Sequence, residues 1–218
     1  MNTNAYRPDI DGLRAIAIIW VVLFHAFPQV FPGGFIGVDV FFVISGYLIT
    51  QIILKDIDSS KFSFLHFYMR RIKRIFPALI VFLSFFLVFG YYLLFSDEYQ
   101  SFGKHVYSSA FFVNNFILIH EAGYFDTISE LKPLLHLWSL GIEEQFYLLW
   151  PLMLWALCSK KIKAFYGIIL VIGITFVINL LRAKYHATDA FYSPQTRFWE
   201  LGLGGLIAYG AHPCLLYT

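Results

Sequence analysis

Charge is scarce in this chain. Asp, Glu, Lys and Arg make up 14% of its 218 residues, against about 25% in a soluble domain. Apolar residues reach 59%, against a globular norm of about 45–50%, and the mean hydropathy is +0.66. A soluble protein of this size could not hide so much apolar surface, and a disordered chain would need the opposite composition. Cysteine is nearly absent: Cys158 and Cys214 cannot build a disulfide framework and read as small packing residues. No H-E-x-x-H or C-x-x-C spacing occurs, so no metal site is expected. There is no G-x-S-x-G, Walker A or dinucleotide fingerprint, no internal repeat, and nothing that suggests a nucleic-acid partner. The N-terminus lacks a basic n-region and an A-x-A cleavage site, and it carries Asp9 and Asp11. Its first apolar run is therefore expected to stay as a helix.

What remains is an all-α, multi-pass transmembrane bundle. Apolar runs occur at Leu13–Phe27, Phe35–Leu54, Ile75–Phe95, His105–His120, Leu134–Cys158, Ala164–Leu181 and Phe198–Gly210, about six to seven segments of near-spanning length. Pro28–Gly34 breaks the first from the second. The polar connection Lys55–Arg74 holds Lys55, Lys61, Arg70, Arg71, Lys73 and Arg74, which the positive-inside rule places in the cytoplasm together with the N-terminus. Lys160, Lys161 and Lys163 belong on the same side. That is possible only if His105–His120, which is short and contains Ser108, Ser109, Asn114 and Asn115, does not cross but lies re-entrant or flat at the outer surface. Its flank Glu121–Glu130 is acidic, in keeping with an outer position.

Ionisable groups inside spans cost about 2.5–3.5 kcal/mol each on insertion scales and are functional candidates. Here they are Arg14, His25, Asp39, Glu143 and Glu144. Arg14 and His25 are eleven residues apart, which puts them on one helix face about 16 Å apart. His25 and Asp39 lie at similar depth on either side of the Pro28–Gly34 turn, so the carboxylate could orient the imidazole and raise its basicity. His136, Ser139 and Glu143 form one stripe at spacings of three and four, while Glu144 faces about 100° away. Each of these groups could also serve only to hold helices together by buried hydrogen bonds. Arg70, Arg71 and Arg74 could be a topology signal, or a site for phosphates or anionic lipid heads. A transporter or proton relay would use similar buried charge, though neither paired broken helices nor internal symmetry is visible.

The blocks Tyr6-Arg-Pro-Asp-Ile-Asp-Gly-Leu-Arg14, His25, Gly34-Phe-Ile-Gly-Val-Asp39-Val-Phe-Phe-Val-Ile-Ser45-Gly46, Phe67-Tyr68-Met-Arg70-Arg71-Ile-Lys-Arg74, Leu135-His136-Leu-Trp138-Ser139-Leu-Gly-Ile-Glu143-Glu144-Gln145 and Ser193-Pro194-Gln-Thr-Arg197-Phe-Trp-Glu200 strongly resemble acyltransferase family 3, nearest its lipopolysaccharide and peptidoglycan O-acetylases. The resemblance runs through nearly the whole of 1–218. It implies transfer of an acyl group, usually acetyl, from cytoplasmic acyl-CoA as co-substrate to a sugar hydroxyl of an envelope glycan at the bacterial inner membrane. The family's Arg-x10-His pair falls on Arg14 and His25, its Arg-x-x-Arg pair on Arg71 and Arg74, and its acidic residue on Asp39. Catalytic candidates are thus His25, Asp39 and Glu143; donor-binding candidates are Arg14, Arg70, Arg71 and Arg74. Ser45 and Ser139 would be the hydroxyls for any covalent acyl intermediate. Family members carry roughly ten spans, so the chain is expected to be the N-terminal part of the domain, incomplete at its C-terminus, with the activity of the isolated 218 residues left open.

Overall fold

The computed structural model describes residues 7–121, 132, 134–160 and 163–211. Tyr6, the acidic flank beyond Glu121, Lys161 and Cys214 lie outside the described residues. The described residues form nine α-helices in chain order: α1 Pro8–Ala26, α2 Ile36–Asp58, α3 Phe64–Leu93, α4 Ser96–Ala110, α5 Asn114–Glu121, α6 Leu137–Ser159, α7 Ala164–Tyr185, α8 Ala187–Tyr192 and α9 Pro194–Gly210. Leu13, Ile16, Ile19 and Trp20 on α1, and Val81, Phe85 and Val88 on α3, stay exposed. Such outward apolar faces suit lipid as solvent.

Helices α2, α3 and α7 are long and apolar enough to cross a membrane by length and composition. The count of six to seven is not reproduced on that measure, for physical reasons. Helix α1 carries Asp9, Asp11 and Arg14, α6 carries Glu143, Glu144 and Gln145, and α9 has 17 residues. Boundaries also move. Helix α3 starts eleven residues before Ile75, and its polar first turns bury Phe67 while Arg70 and Arg74 stay exposed.

Packing begins where backbones approach. A Cβ on Gly46 would strike the Leu201 carbonyl, and one on Gly204 would strike that of Val43, so α2 and α9 meet along glycine. Gly34 and Gly37 likewise admit Trp20 and Ala17 of α1. Small residues at helix crossings allow this close approach in membranes, where apolar burial supplies little association energy. The Trp150 indole of α6 donates to Thr50 Oγ1 of α2 at 2.7 Å, next to Gly205. Phe42, Ile49, Ile53, Ile142, Phe146, Leu154, Ile168 and Leu201 fill the core around them.

The segment His105–His120 is not one helix. Helix α4 ends at Ala110 in a Schellman turn: Val113 N–H donates to Ser108 O at 2.8 Å and Phe112 N–H to Ser109 O at 3.1 Å. Phe112 takes the left-handed position at φ 58°, which costs a residue with a Cβ about 1–2 kcal/mol. Contacts along α3 show where the turn lies. The Tyr99 hydroxyl donates to Leu87 O at 3.3 Å, and the Phe112 ring meets Phe76 with centroids 5.6 Å apart. Helix α4 thus runs back along α3 as far as Phe76, and α5 returns. Phe64 of α3 meets Trp155 of α6 at 5.5 Å, so the start of α3 and the end of α6 share one end of the bundle.

Substituting Gly204→Ala places a methyl on the Val43 carbonyl and is expected to destabilise the bundle by about 1–3 kcal/mol or more. Gly103→Ala, in the open on α4, should be neutral or stabilising by up to about 1 kcal/mol. Thermal unfolding in detergent, followed by loss of the monodisperse peak, reads both.

Candidate functional site

At the end of the bundle where α1 finishes and α2, α6 and α9 begin, a cavity of about 470 Å³ lies among α1, α2, α6 and α8. His25, His136 and Ser139 line it, with Phe24, Phe35, Trp138 and Phe191 as aromatic walls. The two imidazoles meet edge to face, centroids 4.5 Å apart at 88°. His25 Nδ1 lies 2.8 Å from the Val21 carbonyl one turn back. A carbonyl oxygen only accepts, so Nδ1 carries the proton, and in the neutral ring Nε2 keeps its lone pair. Ser139 Oγ donates to the His136 carbonyl at 3.1 Å.

Asp39 has a different partner from the one expected. Its Oδ1 accepts from Arg197 Nη1 at 3.0 Å, and the same nitrogen donates to Glu200 Oε1 at 2.9 Å. His25 is oriented by a backbone carbonyl instead, and the expectation that Asp39 holds the ring does not match this geometry. The Arg197 guanidinium lies 4.8 Å from the Phe191 ring and 5.9 Å from the Trp138 ring, and its Nε donates to Phe191 O at 3.2 Å. It therefore braces the cavity wall from behind. Arg197 and Glu200 were absent from the candidate residues. Their i, i+3 spacing beside a proline-started helix was the available signal; their third member comes from α2, 158 residues away.

Deeper in the bundle, Glu143 and Glu144 each have a buried Oε1 with no hydrogen-bond partner. Glu143 stands beside Ser45 and within charge range of Arg71 and Arg14. The stripe His136–Ser139–Glu143 is thus divided: the first two line the cavity, and Glu143 sits buried below. Arg14 lies over the Phe41 ring at 5.3 Å and 3.9 Å from Asp11. The basic run is also divided. Arg70 pairs with Asp56 at 2.7 Å, and Arg74 is exposed. Arg71 turns inward onto the Tyr147 ring at 4.3 Å, lining with Glu144 a cavity of about 340 Å³ between α3, the α4–α5 turn and α6. Gln145 closes that turn, donating from Nε2 to Phe112 O at 2.7 Å and to Asn115 Oδ1 at 2.9 Å.

A third cavity of about 220 Å³ runs along α1 and α2 past Ala17, Gly37 and Phe41. It shares Val21, Val38 and Ser139 with the histidine cavity. The two hollows therefore adjoin on α1 and α2, and the third cavity reaches Phe41, whose ring Arg14 covers. Such a site can place a neutral imidazole as general base beside a narrow substrate arm.

Comparison with known proteins gives one family and no solved relative. The acyltransferase domain family matches residues 7–213. The peptidoglycan O-acetyltransferase OatA of Listeria monocytogenes is 36% identical over 215 residues, covering 95% of this chain and 34% of its own. The O-acetyltransferase OatA of Staphylococcus aureus is 35% identical over 221 residues, covering 96% and 35%. A third protein, from Staphylococcus aureus strain MSSA476, is named provisionally as an O-acetyltransferase and is 39% identical over 215 residues, 94% and 35%. The chain spans about a third of the length of these curated relatives. No solved structure matches.

Replacing Arg197 with Met strands two carboxylates, one of them on the 2%-exposed Glu200 side chain, and should cost about 3–5 kcal/mol. Adding Asp39→Asn and Glu200→Gln to that variant should recover most of the loss. The thermal midpoints of the unmodified chain and these two variants check both statements.

Proposed function

The chain belongs to the acyltransferase domain family, and on that premise we propose that it moves an acetyl group from cytoplasmic acetyl-CoA to a sugar hydroxyl of a cell-envelope glycan. The observation that carries this reading is the His25 imidazole, held through Nδ1 on the Val21 carbonyl in a cavity that adjoins an apolar groove along α1 and α2. The Listeria relative is named for peptidoglycan, and we carry the acceptor class over from it: a wall polysaccharide with an open hydroxyl.

In this reading the protein sits in the bacterial inner membrane with its N-terminus in the cytoplasm, and the His25 end faces out. The donor's phosphates engage Arg71 and Arg74, with Arg70 contributing once released from Asp56. The pantetheine arm runs up beside Arg14. His25 Nε2 accepts the proton of the attacking hydroxyl as the new C–O bond forms. The proton then leaves with the CoA sulfur. Asp39 serves the site through Arg197, and Glu143 balances Arg14 and Arg71 within the bundle. A general base of this kind contributes about 10²–10⁴-fold.

Membranes carrying the chain are expected to transfer labelled acetyl from acetyl-CoA to isolated wall glycan. His25→Ala should cut that rate at least about 100-fold while leaving the amount of inserted protein unchanged. Equal transfer by the His25→Ala protein would overturn the reading. Arg71→Ala with Arg74→Ala should raise the acetyl-CoA concentration needed for half-maximal rate about tenfold or more, as loss of charge-assisted phosphate contacts does.

A further inference from the structure

A general base is only half of an acyl transfer. When a hydroxyl adds to a thioester, the carbonyl oxygen becomes an oxyanion, and a donor must meet it. The proposed function leaves that donor unnamed, and the histidine cavity narrows the choice. His25 Nδ1 is committed to Val21 O, and Nε2 is the base. The Ser139 hydroxyl is committed to the His136 carbonyl. Trp138 and Tyr192 are 5% and 7% exposed, packed against each other and Phe191. His136 differs from all of these. Its ring is exposed in the cavity and makes no hydrogen bond among the described residues. It stands 4.5 Å from His25, centroid to centroid, with its plane turned by 88°.

That geometry matters because the two roles need divergent nitrogens. The base must reach the attacking oxygen and the donor the carbonyl oxygen of the same tetrahedral carbon. Two parallel stacked rings would point their nitrogens the same way. Two perpendicular rings in contact can address two oxygens of one centre. His136 also sits on the turn ahead of α6, where the Ser139 hydroxyl fixes its carbonyl, so its position does not depend on the base.

We infer that His136 is the oxyanion donor of this site, acting on the thioester carbonyl while His25 acts on the acceptor hydroxyl. This rests on the acyl-transfer reading above. The sugar oxygen bonds to the carbonyl carbon as its proton passes to His25 Nε2. The carbonyl oxygen takes up negative charge and accepts a hydrogen bond from the His136 ring N–H. Collapse breaks the carbon–sulfur bond, and the departing thiolate takes the proton from His25, returning both imidazoles to their starting forms.

The test compares the unmodified chain with His136→Phe and His136→Gln in membranes, using labelled acetyl-CoA and isolated wall glycan. His136→Phe keeps a ring against His25 but has no donor. It should lower kcat about 10²–10³-fold with KM for acetyl-CoA unchanged within about twofold. His136→Gln, which restores an N–H of similar reach, should recover at least about tenfold of that loss. Three results overturn the assignment: full activity in His136→Phe, a change in KM alone, or equal loss in the Phe and Gln proteins when both insert and run monodisperse like the unmodified chain. Absence of transfer by the unmodified chain overturns the acyl-transfer reading and this assignment together, and so is told apart from the other three.

Discussion

The contact between α2 and α9 is the constraint on which the other arrangements depend. Gly46 rests on the Leu201 carbonyl and Gly204 on the Val43 carbonyl, so no side chain separates the two backbones. Only at that spacing can a short Asp39 side chain on α2 reach Arg197 on α9. Only then is there room for the Trp150 ring of α6 against Gly205 and its bond to Thr50. Helix α9 also packs on α7, where a Cβ on Gly202 would press Ile172. Four helices, α2, α6, α7 and α9, are thereby referred to one glycine seam, and the histidine cavity is built at its end.

Buried charge follows the same seam and is grouped in two layers. Near the His25 end, Arg197 serves two carboxylates from two helices. Deeper, Arg14 and Arg71 face the paired Glu143 and Glu144. A lone charge in hydrocarbon is costly, whereas opposite charges grouped at one depth answer one another. An apolar groove on α1 and α2, lined by Ala17, Gly37 and Val38, is where an uncharged part of a substrate could lie without stranding a charge.

Much of this was legible in the sequence because it rests on local pattern. The apolar runs located α1, α2, α6, α7, α9 and most of α3, though not α4, and the break at Pro28–Gly34 gave the α1–α2 hairpin. What pattern could not supply was the partner across helices. Asp39 and His25 are adjacent in depth, yet rotation about the α2 axis turns the carboxylate to α9. Rotation is set by Gly46 and Gly204, and a glycine announces close approach without saying to whom. The same limit applies to Arg70, Arg71 and Arg74. Their neighbours in sequence are each other, while in the fold they separate to Asp56, Tyr147 and solvent.

The α4–α5 hairpin shows how a polar requirement can decide topology. A chain that turns back inside a bilayer exposes backbone carbonyls where no water can reach them. Here the turn carbonyl of Phe112 is met by Gln145 at 2.7 Å, and the Asn114 amide donates to Leu134 O at 3.1 Å. With those groups answered, the segment can stop at the depth of Phe76 and return, despite the left-handed Phe112. Because it returns, α6 runs opposite to α3, and Trp155 ends beside Phe64. Lys160 then lies at the same end as Arg70. Two side-chain amides, Gln145 and Asn114, thus hold the hairpin on which the shared end of α3 and α6 depends.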